Sequence, residues 1–137
     1  MPAPKTTLSS FDILRVEPLL HRERIGRDQL PTHLAHLEHK LVSAIERSPY
    51  EMPTYVVTMN SEVMLVDIDS NESFACTLVF PRNGMPTEQQ VSILSPIGAQ
   101  LLGADVGALI NCLPPRTRRF RVEQILFQPE SAGRYDL

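Results

Sequence analysis

The chain changes its sequence pattern at residues 48–53, which read SPYEMP. Before this segment, apolar residues recur at three- and four-residue steps, as in amphipathic helices, whereas short runs rich in β-branched residues follow it. Pro49 and Pro53 restrict the backbone at both ends and disfavour a helix across the segment. The sequence therefore predicts a helical domain over residues 1–50 and a strand-rich domain over residues 51–137.

The N-terminal part predicts two helices. Ser9 and Ser10 are candidate caps for the first, and Pro18 predicts a kink or a restart because proline removes a helical hydrogen bond. The second helix is predicted to begin near Pro31 and to run to about Arg47, a length of roughly 24 Å. Its apolar stripe consists of Leu30, Leu34, Leu37, Leu41 and Ile45. Facing stripes and a short link predict an antiparallel helical hairpin.

The C-terminal part predicts a curved, mainly antiparallel sheet with one short helix. The predicted strands are TYVVTM (54–59), SEVMLVDID (61–69), SFACTLVF (73–80), VSILS (91–95), ALINCL (108–113) and FRVEQILF (120–127). The fold class is therefore α+β, with the hairpin attached to the sheet.

The composition is typical of a soluble globular protein, since 42% of the residues are apolar and 21% are charged. No run approaches the roughly 18 apolar residues of a membrane helix. The N-terminus also lacks the apolar segment of a secretory signal. We therefore expect a cytoplasmic protein with no membrane partner. A formal net charge of −3 argues against a protein that coats DNA.

The segment SPIGAQLLGADVG (95–107) contains neither a nucleophile elbow nor a phosphate-binding glycine loop. It predicts a compact helix with Ser95 as its cap, Pro96 in its first turn and Gly103 at its end. Gly98 would let this helix lie close to the sheet. The segment is therefore structural rather than catalytic.

Histidines and cysteines give no metal site. His33, His36 and His39 step by three along the second helix, so successive side chains turn away from one another. A solvated polar face is the favoured interpretation. Cys76 and Cys112 lie in apolar runs without a CxxC spacing, which favours two buried thiols. We expect no metal ion and no cofactor.

The predicted hairpin tip is charged. Glu23, Arg24, Arg27 and Asp28 surround Gly26. Mixed charge at an exposed turn is typical of a solvated surface. A tip held away from the body would also suit insertion into a partner.

A basic turn near the C-terminus leaves two interpretations open. Its residues Arg116, Arg118, Arg119 and Arg121 would form either a solvated hairpin or a contact with nucleic-acid phosphate or an acidic protein surface.

Three stretches carry a resemblance to a known family: EMPTYVVTMNSEVMLVDID (51–69), VSILSPIGAQLLGADVG (91–107) and QILFQPESAGRYDL (124–137). Together they resemble the Rnk family, regulators of nucleoside diphosphate kinase, within the Gre-factor superfamily of RNA polymerase-binding proteins. The resemblance implies an FKBP-like C-terminal domain and an N-terminal antiparallel coiled coil. It also implies docking on the polymerase near its secondary channel, with Ser95, Pro96 and Ile97 on the docking side.

The resemblance further implies that acidic residues at a coiled-coil tip help Gre factors to hold a metal ion for RNA cleavage. Here Arg24 and Arg27 lie beside Glu23 and Asp28, and guanidinium groups would compete with Mg²⁺ for the carboxylates. The predicted hairpin is also far shorter than a Gre coiled coil. We therefore expect a non-enzymatic polymerase-binding regulator of elongation that competes with Gre-type factors without stimulating cleavage. A monomer fits the family.

Two alternatives remain. One is direct or indirect regulation of a nucleoside diphosphate kinase, as the family name suggests. The other is a prolyl isomerase of the FKBP kind, which the implied fold would allow. Such enzymes use an aromatic-lined pocket, whereas this chain has no Trp and only 6% aromatic residues.

Overall fold

The structure, a computed structural model, describes residues 6–81, 87–112 and 118–137. Within these ranges the chain forms three α-helices, which are α1 (Ser10–Arg24), α2 (Thr32–Ser43) and α3 (Pro96–Leu101). A short 3-10 helix over Pro49–Glu51 follows the N-terminal pair. None of the helices in these ranges combines the length and the apolar character that a bilayer crossing requires.

The first helix begins where the sequence predicts. Ser9 precedes α1, and its side chain accepts a hydrogen bond from the Phe11 N–H at 3.1 Å. The helix continues through Pro18 as one element, so the predicted restart at this proline is wrong. Pro18 is exposed, so its ring occupies the solvent side of the helix.

The prediction that the second helix continues to Arg47 is wrong. The helix ends at Ser43, and a short parallel ladder pairs β1 (Thr7–Ser9) with β2 (Ile45–Arg47). The Ile45 N–H donates to the Thr6 carbonyl at 2.8 Å, so this residue leaves the leucine stripe. The 12 residues of α2 span about 18 Å rather than roughly 24 Å.

The described residues of the C-terminal part form a five-stranded sheet in the order β5-β4-β3-β7-β6. Every neighbouring pair is antiparallel except β4 and β5, which run parallel. The strands are β3 (Glu62–Asp67), β4 (Ser73–Val79), β5 (Gln90–Ser92), β6 (Leu109–Cys112) and β7 (Arg118–Phe127). The α+β class and the mainly antiparallel sheet are therefore confirmed.

The sheet is curled because β7 pairs irregularly with β3. The register shifts between Glu62 and Val63 and again between Met64 and Leu65, and such irregularities bend a strand. The strand predicted over residues 54–59 is wrong, since only an isolated bridge joins Val56 to Asp105 there. The likeness to FKBP and the coiled-coil description of the hairpin stay predictions.

One hydrophobic cluster runs through both parts of the chain. It contains Val16 and Leu20 of α1, the α2 residues Leu34, Leu37 and Leu41, and the inner faces of the sheet and α3. The α2 leucines confirm most of the predicted stripe. The helices and the sheet therefore pack into a common hydrophobic core. The proposed domain boundary near residue 50 stays a prediction.

A buried carboxyl group ties α1 to the sheet domain. Asp12 is fully buried and accepts hydrogen bonds from the Met59 N–H at 3.1 Å and from Arg15 at 2.6 Å. The Arg15 guanidinium also lies over the rings of Phe11 and Phe80 and donates to the Leu137 carbonyl at 2.7 Å. Burial raises the pKa of Asp12 from its ordinary 3.8 to about 6, against the lowering effect of these hydrogen bonds.

The stability of the protein should therefore depend on Asp12 in a pH-dependent way. The folded-state pKa of Asp12 lies above its ordinary value. The contribution of Asp12 to the unfolding free energy is therefore fully present below pH 3.8 and is lost as the pH rises through about 6. Relative to Asp12→Asn, the wild type should lose about 1 kcal/mol of unfolding free energy between about pH 5 and about pH 7. Urea denaturation of both proteins across this range measures the difference. A difference that is constant, or that grows with pH, would contradict the assignment.

Candidate functional site

The Ser-Pro segment forms the beginning of α3, as predicted. The Ser95 hydroxyl accepts the Gly98 N–H at 3.1 Å and donates to the Ser92 carbonyl at 2.7 Å, so it caps the helix and closes the turn from β5. Pro96 occupies the first helical position. Leu101 and Leu102 are fully buried and fill the open side of the curled sheet, and Gly103 follows with a φ of 82°.

Gly98 lets α3 lie against the end of β5. A Cβ atom at this position would stand 1.9 Å from the Ser92 carbonyl oxygen, a distance that no real contact reaches. The predicted reason for this glycine is therefore confirmed. The contact fixes where the preceding residues, Ser95 to Ile97, emerge.

The side chain of Gln100 connects α3 to the opposite edge of the sheet. Its Oε1 accepts the Asn111 N–H at 2.9 Å, and its Nε2 donates to the Asn111 carbonyl. Asn111 belongs to β6, whereas the other end of α3 rests on β5. The helix therefore bridges the two outer strands of the sheet.

Two side chains of α2 contact α3 and the segment before it from the other side. The Lys40 Nζ donates to the carbonyls of Ala99 at 2.8 Å and Leu102 at 2.9 Å, with a longer contact to Gln100 at 3.3 Å. The His33 Nε2 lies 2.9 Å from the Leu94 carbonyl and donates to it when this nitrogen carries the proton. Burial lowers the pKa of Lys40 to about 8.

A groove of about 650 Å³ opens between α2 and the β5–α3 segment. The wall on the α2 side contains His33, His36 and Lys40. The opposite wall includes Val91 and all three predicted docking residues, Ser95, Pro96 and Ile97. The surface of the groove is mainly apolar, which suits a protein or peptide contact.

Three of the four charged residues at the hairpin tip, Glu23, Arg24 and Arg27, are in ion pairs. Arg27 lies 3.9 Å from Glu23, and Arg24 reaches back to Glu38 of α2 at 2.6 Å. Asp28 is exposed, and Gly26 turns the chain with a φ of 77°. The described ranges contain no group of three or more His, Cys, Asp or Glu side chains that could hold a metal ion.

Three arginines of the basic turn also lie beside carboxylates. Three ion pairs join Arg118 to Asp67 at 2.8 Å, Arg119 to Asp69 at 2.8 Å and Arg121 to Glu123 at 3.0 Å. Arg116 lies outside the described residues. The pairing lowers the excess positive charge that a phosphate contact would need.

The sequence interpretation missed Lys40 and Gln100. Lys40 follows Leu37 by three residues and precedes Leu41, so it lies at the edge of the leucine stripe, and this position was the available signal. Gln100 gave no such signal, because its partner lies on a strand 11 residues later that only the fold brings close. Of the three histidines, His33 contacts the β5–α3 segment rather than solvent alone.

Comparison with known proteins shows which family the chain belongs to. The family model described as "Transcription elongation factor, GreA/GreB, C-term" matches residues 52–127, and the chain belongs to this family. Over 137 residues the chain is 36% identical to "Regulator of nucleoside diphosphate kinase" of Escherichia coli strain K12, and the match covers 98% of each chain. The resemblance to the Rnk family is therefore confirmed.

Two further relatives support the family. "Transcription elongation factor GreA" of Thermodesulfovibrio yellowstonii is 27% identical over 109 residues, which are 79% of this chain and 69% of that protein. The solved structure "Prokaryotic transcription elongation factor GreA/GreB from Nitrosomonas europaea" is 34% identical and superposes with a TM-score of 0.75. The superposition covers 91% of this chain and 100% of the solved chain. These relatives are named as a regulator and as elongation factors rather than as enzymes.

Removal of the Lys40 ammonium should loosen α3. In Lys40→Met the carbonyls at the end of α3 lose their donor, so we expect a loss of about 1–2 kcal/mol in unfolding free energy. The amides of Leu101 and Leu102 should also exchange faster with solvent. His39→Met, an exposed position on the same helix, is the matched control. Equal stability and equal amide exchange in the two variants would contradict the role given to Lys40.

Proposed function

We propose that this protein is an RNA polymerase-binding regulator of transcription elongation. It docks as a monomer near the secondary channel through Ser95, Pro96 and Ile97. The observation that carries the proposal is the position of these residues on the wall of the mainly apolar groove, in a chain of the GreA/GreB family. The same contacts that fix α3 give this surface a defined shape, so less conformational entropy is lost when a partner binds.

The hairpin supports binding without stimulated RNA cleavage. Its second helix spans only about 18 Å, so the tip reaches less far than the coiled coil that the family resemblance implies. Glu23 is paired with Arg27, and a guanidinium group opposes the capture of a divalent cation by a neighbouring carboxylate. The protein would therefore occupy the docking position and exclude a Gre-type cleavage factor.

The name of the Escherichia coli relative also points to nucleoside diphosphate kinase. An indirect effect through transcription accounts for this name with the same docking surface. The isomerase alternative lacks a supporting observation in the groove, because the described lining residues include no Phe, Tyr or Trp. Polymerase binding is therefore the function that we propose.

The test uses core RNA polymerase stalled in a backtracked complex, with and without a Gre factor. We expect the protein to co-elute with polymerase, to cause no RNA cleavage and to suppress Gre-stimulated cleavage. Pro96→Glu should weaken binding about tenfold or more, because it places a charge at the centre of the contact. Val106→Glu makes a similar change on an exposed apolar residue outside the groove and should bind like the wild type.

Failure of the wild type to co-elute at micromolar concentration would contradict the proposed function. RNA cleavage by the protein alone would contradict the proposed role of the tip. Equal binding by the Pro96 and Val106 variants would leave polymerase as the partner but would contradict the docking surface.

A further inference from the structure

The groove differs in charge from the rest of the protein. The chain carries a formal net charge of −3, yet none of the described lining residues is acidic. Three basic side chains, His33, His36 and Lys40, line the α2 wall. Glu88 precedes β5 along the chain and is exposed, but it is not part of the wall.

The three basic residues occupy different positions with respect to a bound partner. Lys40 is committed to the α3 carbonyls, so its ammonium acts on a partner through its field rather than through direct contact. His33 is held against the Leu94 carbonyl. His36 is exposed and is therefore the basic residue of the wall that a partner can reach most readily.

The opposite wall offers apolar contact. Val91 and Ile97 are half-buried and Pro96 is exposed, so an incoming apolar side chain can cover them. A partner that matches both walls carries an apolar residue flanked by carboxylates. Burial of the apolar residue would provide affinity, and the charges would set orientation and the association rate.

We propose that the groove between α2 and α3 receives an acidic segment of the polymerase, with an apolar side chain against Pro96 and Ile97 and carboxylates beside His36. This inference rests on the proposed function and specifies the chemistry of the partner surface. It also assigns to α2, part of the hairpin, one wall of the docking site.

The test changes the charge at His36 and compares it with a neighbouring site on the same helix. His36→Glu places a negative charge in the groove, whereas His39→Glu makes the same substitution at an exposed position outside the wall. His36→Lys places a full positive charge in the groove. The dissociation constant of each protein for core polymerase is measured at low and at high salt, together with the association rate.

We expect His36→Glu to bind about three- to tenfold more weakly than His39→Glu at low salt, mainly through slower association. His36→Lys should bind about two- to threefold more tightly than the wild type. Both effects should shrink at high salt because added ions screen the charges. A general loss of structure would not reverse sign between the two His36 variants.

Tighter binding by His36→Glu would mean that a basic segment occupies the groove, and equal binding by the two Glu variants would mean that no charged segment does. Either result overturns the inference while polymerase binding by the wild type stands. If the wild type does not bind polymerase, the proposed function and this inference fail together.

Discussion

The carbonyl oxygen of Ser92 leaves no space for a side chain at position 98, since a Cβ atom there would lie only 1.9 Å away. This close approach lets α3 rest on β5, while Gln100 connects the same helix to Asn111 on β6. The short helix thereby spans the gap between the two outer strands of the curled sheet. Leu101 at the end of the helix and Leu102 directly after it are fully buried and complete the hydrophobic core.

The position of α3 also defines the candidate docking surface. Ser95 caps the helix, so the residues that follow it emerge at one fixed place beside α2. Lys40 binds the far end of α3 and His33 binds the segment before it, so the hairpin and the sheet domain jointly build the groove. Asp12 adds a second link between the two parts at Met59. In this account the helical hairpin supports the docking surface as well as presenting a tip.

Local patterns in the sequence were sufficient for the α+β class, the Ser9 and Ser95 caps and the close approach at Gly98, because each depends on neighbouring residues. The end of α2 was not predictable in this way, because Ile45 leaves the helix to pair with Thr7, a partner 38 residues earlier. The burial of Asp12 was likewise not predictable from its position in the first turn of α1, since Asp12 contacts the backbone of Met59, 47 residues later. Non-local contacts of this kind set both the groove and the link between the two parts.

The measurement that tests this account most directly is the unfolding free energy of Gly98→Ala, with amide exchange of α3 followed in the same protein. Helix propensity alone favours the substitution by about 1 kcal/mol, whereas the contact with Ser92 opposes it. We predict a net loss of about 3 kcal/mol and faster exchange in α3. Gly107→Ala, where the new Cβ meets nothing within 4 Å but φ is 95°, should lose only about 1 kcal/mol and leave α3 unchanged. A Gly98→Ala protein as stable as the wild type, with unaltered exchange in α3, would contradict the central role of this contact.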